Sequence, residues 1–211
     1  MLHQPVQRRG FHSNDVRGVF ETVATEGVPV PAGHTPLLAP AAAYEVGLRS
    51  DISPRLSTQI AVFQEDFSSE LAYDQDEGQD EASAPSRRQG AEISAQYRPY
   101  PWIEVNTDLA FSRARYHGNL AAFDLDGPYI ANAPNFIGSF GLLVDHLGPW
   151  FGGLEWRVLG PYPISDGDEY PRDDGYSEVN IDAGYKISRS VNVMLSIYNL
   201  TNLSASASSA Y

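Results

Sequence analysis

The segment YSEVNIDAGYKISRSVNVMLSIYNL, residues 176–200, alternates apolar and polar side chains, breaks off for three residues, and then alternates again. Alternation with a period of two places successive side chains on opposite faces of a β-strand. In the first run one face carries Val179 and Ile181, and the other carries Glu178 and Asp182. Charges therefore lie in mid-strand on one face only, which is typical of a strand between hydrocarbon and water.

Similar alternating runs recur along most of the chain, and about eight can be counted. They comprise residues 44–51, 56–73, 89–98, 102–116, 135–145 and 150–160, together with the two runs of the opening segment. The connections alternate between short turns, such as 99–101, and long polar loops, such as 117–134. Antiparallel membrane barrels have short turns at the periplasmic end and longer loops outside the cell. The chain is therefore predicted to be all-β, an antiparallel meander of about eight long transmembrane strands.

Composition excludes several classes of protein. Among 211 residues, 27 acidic and 14 basic side chains give a net charge of −13, which disfavours binding to nucleic acid phosphates. No uninterrupted apolar stretch approaches the roughly 18 residues of a membrane helix, so a helical membrane protein is excluded. The absence of cysteine excludes disulfides, thiolate metal sites and cysteine nucleophiles.

Aromatic side chains lie near both ends of the alternating runs. Those near the short turns are Tyr97, Tyr100, Trp102 and Trp150, and those near the long loops are Tyr73, Tyr116 and Tyr162. Membrane barrels carry a girdle of aromatic residues at each membrane interface. We therefore expect two girdles, one at each end of the strands.

Four short motifs add a family resemblance: GFHSNDVRG at 10–18, YEVGLR at 44–49, RRQGAE at 87–92 and NLTN at 199–202. In order and spacing they resemble the C-terminal part of the barrel of a TonB-dependent outer-membrane receptor. The family's version of the last motif is Asn-Leu-Phe-Asn, so Thr201 replaces its phenylalanine. The resemblance extends across nearly the whole chain.

This resemblance implies a place in a larger barrel of about 22 strands that surrounds a folded plug. We expect residues 1–40 to be a loop-rich N-terminal segment with an extracellular-loop-like motif and 41–203 to be a partial receptor barrel. Residues 204–211 are expected to be a truncated loop. We therefore expect the chain to be a truncated piece of a receptor, with the plug absent.

The resemblance also implies a function in the outer membrane of a Gram-negative cell. Such receptors take up a scarce nutrient, such as a ferric siderophore or another bulky solute, and need no cofactor. The implied partners are outer-membrane lipid and, in the intact family member, its own plug domain and the TonB energy-coupling complex. A fragment without the plug is not expected to be transport-competent alone.

Candidate site residues lie in the loops. His12, Asn14, Arg17 and His117 are candidates for contacts with a ligand, although solvated loop residues of these types are common. Asp166, Asp168, Asp173 and Asp174 offer hard oxygen ligands of the kind that calcium prefers, but they lack the spacing of an EF-hand loop. Mid-strand charges such as Glu155 and Arg157 indicate a lumen wall. No catalytic residue and no enzyme activity are predicted.

Two other functions fit parts of the same pattern. A standalone barrel of about eight strands with a structural or adhesion role would be expected to end in an aromatic membrane-spanning strand, whereas this sequence ends in SASSAY. A soluble extracellular β-sandwich that binds a sugar would have to bury the face with Val179 and Ile181 against a second sheet.

Overall fold

A computed structural model describes residues 6–13, 38–69, 71–74, 79–82, 84–123, 125–167 and 172–201. Within 6–13, 71–74 and 79–82 it covers the backbone, together with the side chains of Arg8 and Arg9. The strands in chain order are β1 (Val6–Ser13), β2 (Leu38–Ser53), β3 (Leu56–Phe67), β4 (Leu71–Asp74), β5 (Gln79–Ala82), β6 (Ser86–Tyr100), β7 (Ile103–Tyr116), β8 (Phe136–Leu147), β9 (Trp150–Leu159), β10 (Tyr162–Pro163), β11 (Arg172–Asp173), β12 (Tyr176–Lys186) and β13 (Asn192–Ile197). A short 3-10 helix covers Leu120–Phe123. No helix among these residues is long and apolar enough to span a bilayer.

Nine of the strands form one antiparallel sheet, in the order β1-β2-β3-β6-β7-β8-β9-β12-β13. Each strand pairs with the next one along the chain, except where the small ribbons β4-β5 and β10-β11 lie inside connections. Among the described residues, β1 and β13 form the two edges of the sheet. The predicted all-β antiparallel meander is thereby confirmed.

The connections alternate as the sequence predicts. Two-residue turns join β2 to β3, β6 to β7 and β8 to β9, whereas residues 68–85, 117–135 and 160–175 form long connections. We call the two ends of the sheet the turn end and the loop end. Because adjacent strands are antiparallel, all three long connections lie at the loop end.

The structure adds β1, which lies in the segment that the sequence predicts to be loop-rich, and begins β2 at Leu38 instead of residue 44. Antiparallel pairing from Val6 opposite Glu45 to Ser13 opposite Leu38 supplies the backbone hydrogen bonds of β1. The sequence of β1 alternates poorly, so its strand is defined by this long-range pairing. The predicted run 56–73 is shorter, because the chain leaves the sheet after Phe67.

The two faces of the sheet differ in polarity. Leu48, Ile60, Ile93 and Leu109 are partners in one row across four strands, on the face that we call the outer face. The neighbouring row of partners on the opposite, inner face consists of Arg49, Gln59, Ser94 and Asp108.

The apolar side chains of the outer face are largely exposed. Val46 and Val62 are each 50% exposed, and Leu195 is 65% exposed. The buried apolar side chains among the described residues are few: Ala39, Ala61, Ala84, Ala114 and Tyr162. Exposed apolar surface of this extent is typical of a face that contacts an apolar partner.

The expected aromatic girdle at the turn end is confirmed. The rings of Tyr100 and Trp102 stack with centroids 5.5 Å apart, and Trp150 meets Tyr185 edge to face at 4.8 Å. Tyr97, Tyr100 and Trp150 are all substantially exposed. Amphipathic rings in this position suit the boundary between hydrocarbon and water.

The expected girdle at the loop end is wrong for two of its three residues. Tyr162 is only 2% exposed and lies in the ribbon β10-β11, opposite Asp173. Tyr116 is the partner of Ser86 and lies on the inner face. The side chain of Tyr73 lies outside the described residues. The two ends of the outer face therefore differ in chemistry.

Glycine allows two strands to approach closely. A Cβ atom at Gly152 would lie 2.3 Å from the backbone oxygen of Asp182, so no larger residue fits between β9 and β12. This geometry agrees with the interpretation of Gly152 and Gly153 as a site of close packing.

Candidate functional site

The inner face carries a network of hydrogen bonds around Glu104. Its carboxylate accepts bonds from Gln96 Nε2 at 2.8 Å, from Asn106 Nδ2 at 2.9 Å, and from Arg98. Alternation places Glu104 and Asn106 on the same side of β7, and strand pairing brings Gln96 opposite Asn106. The network therefore follows from the local pattern together with the strand register.

Other charges of the inner face are also paired. Arg157 Nη2 lies 2.6 Å from Glu155 Oε1, and Asn180 Nδ2 donates to Glu178 Oε1 at 2.8 Å. Carboxylates held by amides and guanidinium groups form a polar wall. Pairing of this kind is typical of a strand face that contacts water.

At the loop end, the connections 117–135 and 160–175 dock on each other; we call this contact the loop clasp. Asp166 is its centre, because its Oδ2 accepts a bond from Asp126 N at 2.7 Å and its backbone oxygen accepts one from Tyr129 N at 3.1 Å. Asn132 N also donates to Pro163 O at 2.9 Å. These bonds cross between the two loops and hold them together.

Aromatic and cationic groups complete the loop clasp. The guanidinium carbon of Arg115 lies 4.1 Å from the centroid of the Tyr129 ring, and that of Arg172 lies 5.0 Å from the same centroid. Each contact of this kind contributes about 0.5–1 kcal/mol at an exposed site. Tyr129 thus connects the end of β7 with the second loop.

Tyr162 lies within the second loop of the clasp, opposite Asp173. Its hydroxyl is buried and has no hydrogen-bond partner among the described residues. Burial raises the pKa of the Tyr162 phenol, and the nearby carboxylate of Asp173 raises it further. The Tyr162 phenol therefore ionises at a higher pH than an ordinary tyrosine does.

Two of the predicted metal-binding candidates, Asp166 and Asp173, form hydrogen bonds within the loop 160–175. Asp166 Oδ1 accepts a bond from Ser165 Oγ at 2.9 Å, and Asp173 Oδ1 accepts one from Gly175 N at 2.7 Å. Asp174 is exposed, and Asp168 lies outside the described residues. Within the described part of the chain, no group of three or more acidic or histidine side chains could hold a metal ion. The side-chain oxygens of Asp166 and Asp173 thus form hydrogen bonds within the loop itself.

Two of the predicted ligand contacts, His12 and His117, are among the described residues, and both lie at the loop end. His117 is exposed just after β7, and its backbone N donates to Pro85 O at 2.8 Å. His12 lies in β1 opposite Ala39, but its side chain is not among those described. Asn14 and Arg17 lie outside the described residues.

Sequence reasoning missed a cavity of about 610 Å³ at the loop end, whose lining includes Arg9, Asp66, Arg87 and His117. Arg87 Nε donates to Asp66 Oδ1 at 2.6 Å, and Gln64 Nε2 donates to Asp66 Oδ2 at 2.8 Å. Arg9 and His117 are far apart in sequence and meet here through strand pairing. The pattern of the sequence carries no local signal for this cavity.

Comparison with known proteins agrees with this fold. A family model described as "TonB dependent receptor-like, beta-barrel" matches residues 9–200. No curated protein matches the chain. Among solved structures, the copper transporter OprC superposes with a TM-score of 0.68 at 18% identity, over 93% of this chain and 31% of that one.

Two siderophore receptors are similar to a comparable extent. The ferric yersiniabactin uptake receptor FyuA from Yersinia pestis has a TM-score of 0.67 at 17% identity, over 94% of this chain and 29% of that one. The ferric-catecholate import receptor Fiu from E. coli K12, in its closed form, has a TM-score of 0.65 at 19% identity, over 86% of this chain and 27% of that one. The chain thus spans less than a third of the length of these structures. The family match across most of its residues shows that this chain belongs to the TonB-dependent receptor-like β-barrel family, whose members are outer-membrane transporters of Gram-negative bacteria and not enzymes.

Proposed function

We propose that this chain forms part of the wall of an outer-membrane receptor that takes up a scarce nutrient. A metal chelate such as a ferric siderophore is the preferred class of ligand. The observation that carries the proposal is the contrast between the apolar outer face and the polar inner face at Leu48 and Arg49. A wall with lipid on one side and an aqueous lumen on the other requires this contrast.

The partners of this wall follow from the same contrast. Outer-membrane lipid covers the outer face, and a plug domain lies against the polar network around Glu104 on the inner face. Uptake then depends on energy from a TonB complex. The similar structures are a copper transporter and receptors for ferric yersiniabactin and ferric catecholates, which supports a metal-containing ligand.

The ligand is proposed to reach the receptor at the loop end. His117 lies there beside the cavity, and the loop clasp forms part of the rim. His12, Asn14 and Arg17 are further proposed contacts, because their motif comes before β2 in the sequence and β2 begins at the loop end. Asp174, which is exposed, is proposed as a solvated loop residue.

Deletion of the gene in its native host tests the proposal. The deletion strain is expected to lose growth on one class of ferric or copper chelate as the metal source, and the intact gene on a plasmid should restore it. Uptake of the radiolabelled metal chelate provides the direct measurement. Unchanged uptake of every chelate, with a loss of surface adhesion instead, would contradict the proposal and favour a structural role.

A further inference from the structure

We propose that the metal species taken up along this receptor wall carries a net positive charge, and that the wall disfavours anionic metal complexes. This assignment rests on the proposed function and deepens it, because it names the charge of the transported solute. The selecting feature is the electric field along the route from the loop end to the inner face, and not a single binding site.

The long connections hold nearly all of the net negative charge. Residues 68–85, 117–135 and 160–175 contain six, two and five Asp or Glu side chains, which is 13 of the 27 in the sequence. The same connections contain one of the 14 basic residues, Arg172. Their net charge is therefore −12, against −13 for the whole protein. Since all three connections lie at the loop end, a solute that approaches there meets a negative field.

The inner face of the sheet carries further carboxylates. Alternation and register place six of them on β2 to β7 among the described residues: Glu45, Asp51, Glu65, Glu92, Glu104 and Asp108. Four more lie on β8 to β12: Asp145, Glu155, Glu178 and Asp182. The negative charge of the loop end thus continues along the wall.

Cationic side chains on the inner face are half as numerous. From β2 to β12 the described residues include five of them: Arg49, Arg88, Arg98, Arg157 and Lys186. Three of the five, Arg98, Arg157 and Lys186, form ion pairs with carboxylates of the same face. The inner face therefore has a net negative charge, and most of its cations already have partners.

Two cavities of the inner face each contain a carboxylate that forms no ion pair within the described part of the chain. Asp108 is exposed in a cavity of about 280 Å³, whose lining also includes Ser94 and Asn106. Asp182 lies in a cavity of about 390 Å³ together with Phe151. A carboxylate without a cationic partner attracts a cationic solute and repels an anionic one.

Other arginines near the loop end do not face the lumen. Arg87 and Arg113 lie on the outer face, and Arg87 is paired with Asp66 at 2.6 Å. The guanidinium carbon of Arg172 lies 5.0 Å from the centroid of the Tyr129 ring within the loop clasp. An anionic complex would therefore meet few cationic groups along the described part of this route.

The test measures uptake of three ferric complexes of one linear trihydroxamate chelator, in the deletion strain and in the strain that carries the intact gene. The terminal amine of the chelator is free in the first complex, acetylated in the second and succinylated in the third. The three complexes share one iron centre and carry a positive charge, no charge and a negative charge. Radiolabelled iron gives the gene-dependent uptake of each as the difference between the two strains. Free Cu²⁺ in a separate arm distinguishes a bare metal cation from a cationic chelate.

We expect gene-dependent uptake of the cationic complex to exceed that of the anionic complex at least about tenfold in medium of low ionic strength, because a field of one sign concentrates the opposite charge. The ratio should fall in medium of about 0.15 M ionic strength, where the screening length is about 8 Å. Gene-dependent uptake of Cu²⁺ without uptake of the chelates would support the positive charge and assign it to the bare ion.

A triple variant tests the contribution of the inner face. Glu92→Gln, Asp108→Asn and Asp182→Asn together remove three negative charges, and the matched control Glu92→Asp, Asp108→Glu and Asp182→Glu keeps them. We expect the first variant to lower the ratio of cationic to anionic uptake at least about threefold and the control to keep the ratio of the wild type. Asp108→Asn alone, with a smaller change in the same direction, serves if the triple variant does not assemble.

Greater uptake of the neutral or the anionic complex than of the cationic one would overturn the assignment of charge. A ratio that is unchanged in both the triple and the single variant would also overturn it. If a different chelate supports gene-dependent growth, its net charge decides in the same way. Uptake of an anionic complex contradicts only the assignment of charge, whereas absence of gene-dependent uptake of every metal species contradicts the proposed function.

Discussion

Lys186 Nζ donates a hydrogen bond to Asp145 Oδ1 at 2.8 Å, and this contact joins β12 to β8 across the intervening strand β9. Lys186 is the one lysine in the sequence. Its ammonium group also lies 5.4 Å from the centroid of the Phe151 ring on β9. A single side chain on the inner face thus contacts all three strands near the turn end.

Replacement of Lys186 by Met is expected to cause a small loss of thermal stability. The pair is partly exposed, so solvent and salt weaken it, and the loss should be larger at low ionic strength than at high. Thermal unfolding followed by circular dichroism in detergent provides the measurement. Arg189→Gln in the adjacent turn is the control, and a loss that does not depend on salt would contradict the role of the ion pair.

Substitution of Ile60 by Arg is expected to destabilise the inserted barrel by about 2–4 kcal/mol, because a charge on the lipid face must enter hydrocarbon. The adjacent substitution Gln59→Arg places the same charge on the inner face and should have little effect. Urea unfolding in lipid vesicles measures both. Equal losses in the two variants would contradict the assignment of the faces.

Gly127→Ala is expected to open the loop clasp. A Cβ atom there would lie 2.5 Å from the backbone oxygen of Asp166, so the two loops must separate. The rate of proteolysis within 160–175 should rise, while the heat-modifiable gel mobility of the barrel stays unchanged. In the control Gly141→Ala the nearest atom is 3.9 Å away, and the proteolysis rate should remain at the wild-type value.

Tyr162 is expected to ionise above the ordinary tyrosine pKa of about 10. Since its folded-state pKa is raised by burial and by Asp173, its contribution to stability is complete below that ordinary value. The contribution is lost as pH rises through the folded-state pKa. The difference in phenolate absorbance between wild type and Tyr162→Phe isolates this titration, and a midpoint below the ordinary value would refute it.

His117→Ala is expected to weaken the binding of the metal chelate without affecting the fold, since His117 is exposed beside the cavity at the loop end. Binding to whole cells measures the effect. Loss of an equal amount in His146→Ala, a histidine near the end of β8 at the turn end, would show that the effect is not local.

The strands of the sheet and their alternating connections can be predicted from local patterns. Val179 and Glu178 differ in face because successive side chains of any strand point in opposite directions. β1 could not be predicted in this way, because its sequence alternates poorly and its partner β2 supplies the pairing. The burial of Tyr162 could not be predicted in this way either, because Tyr162 lies in the small ribbon β10-β11, which the alternating pattern does not indicate.

The local sequence pattern predicts the two faces of the sheet, but it does not predict the candidate sites. The amino-acid order alone specified an all-β meander with one apolar and one polar face, because alternation acts between neighbouring residues. The inner-face cavities at Asp108 and Asp182, the cavity at Asp66 and the loop clasp at Asp166 needed the folded sheet. Their members are distant in sequence, and only the register between strands and the contact between loops bring them together.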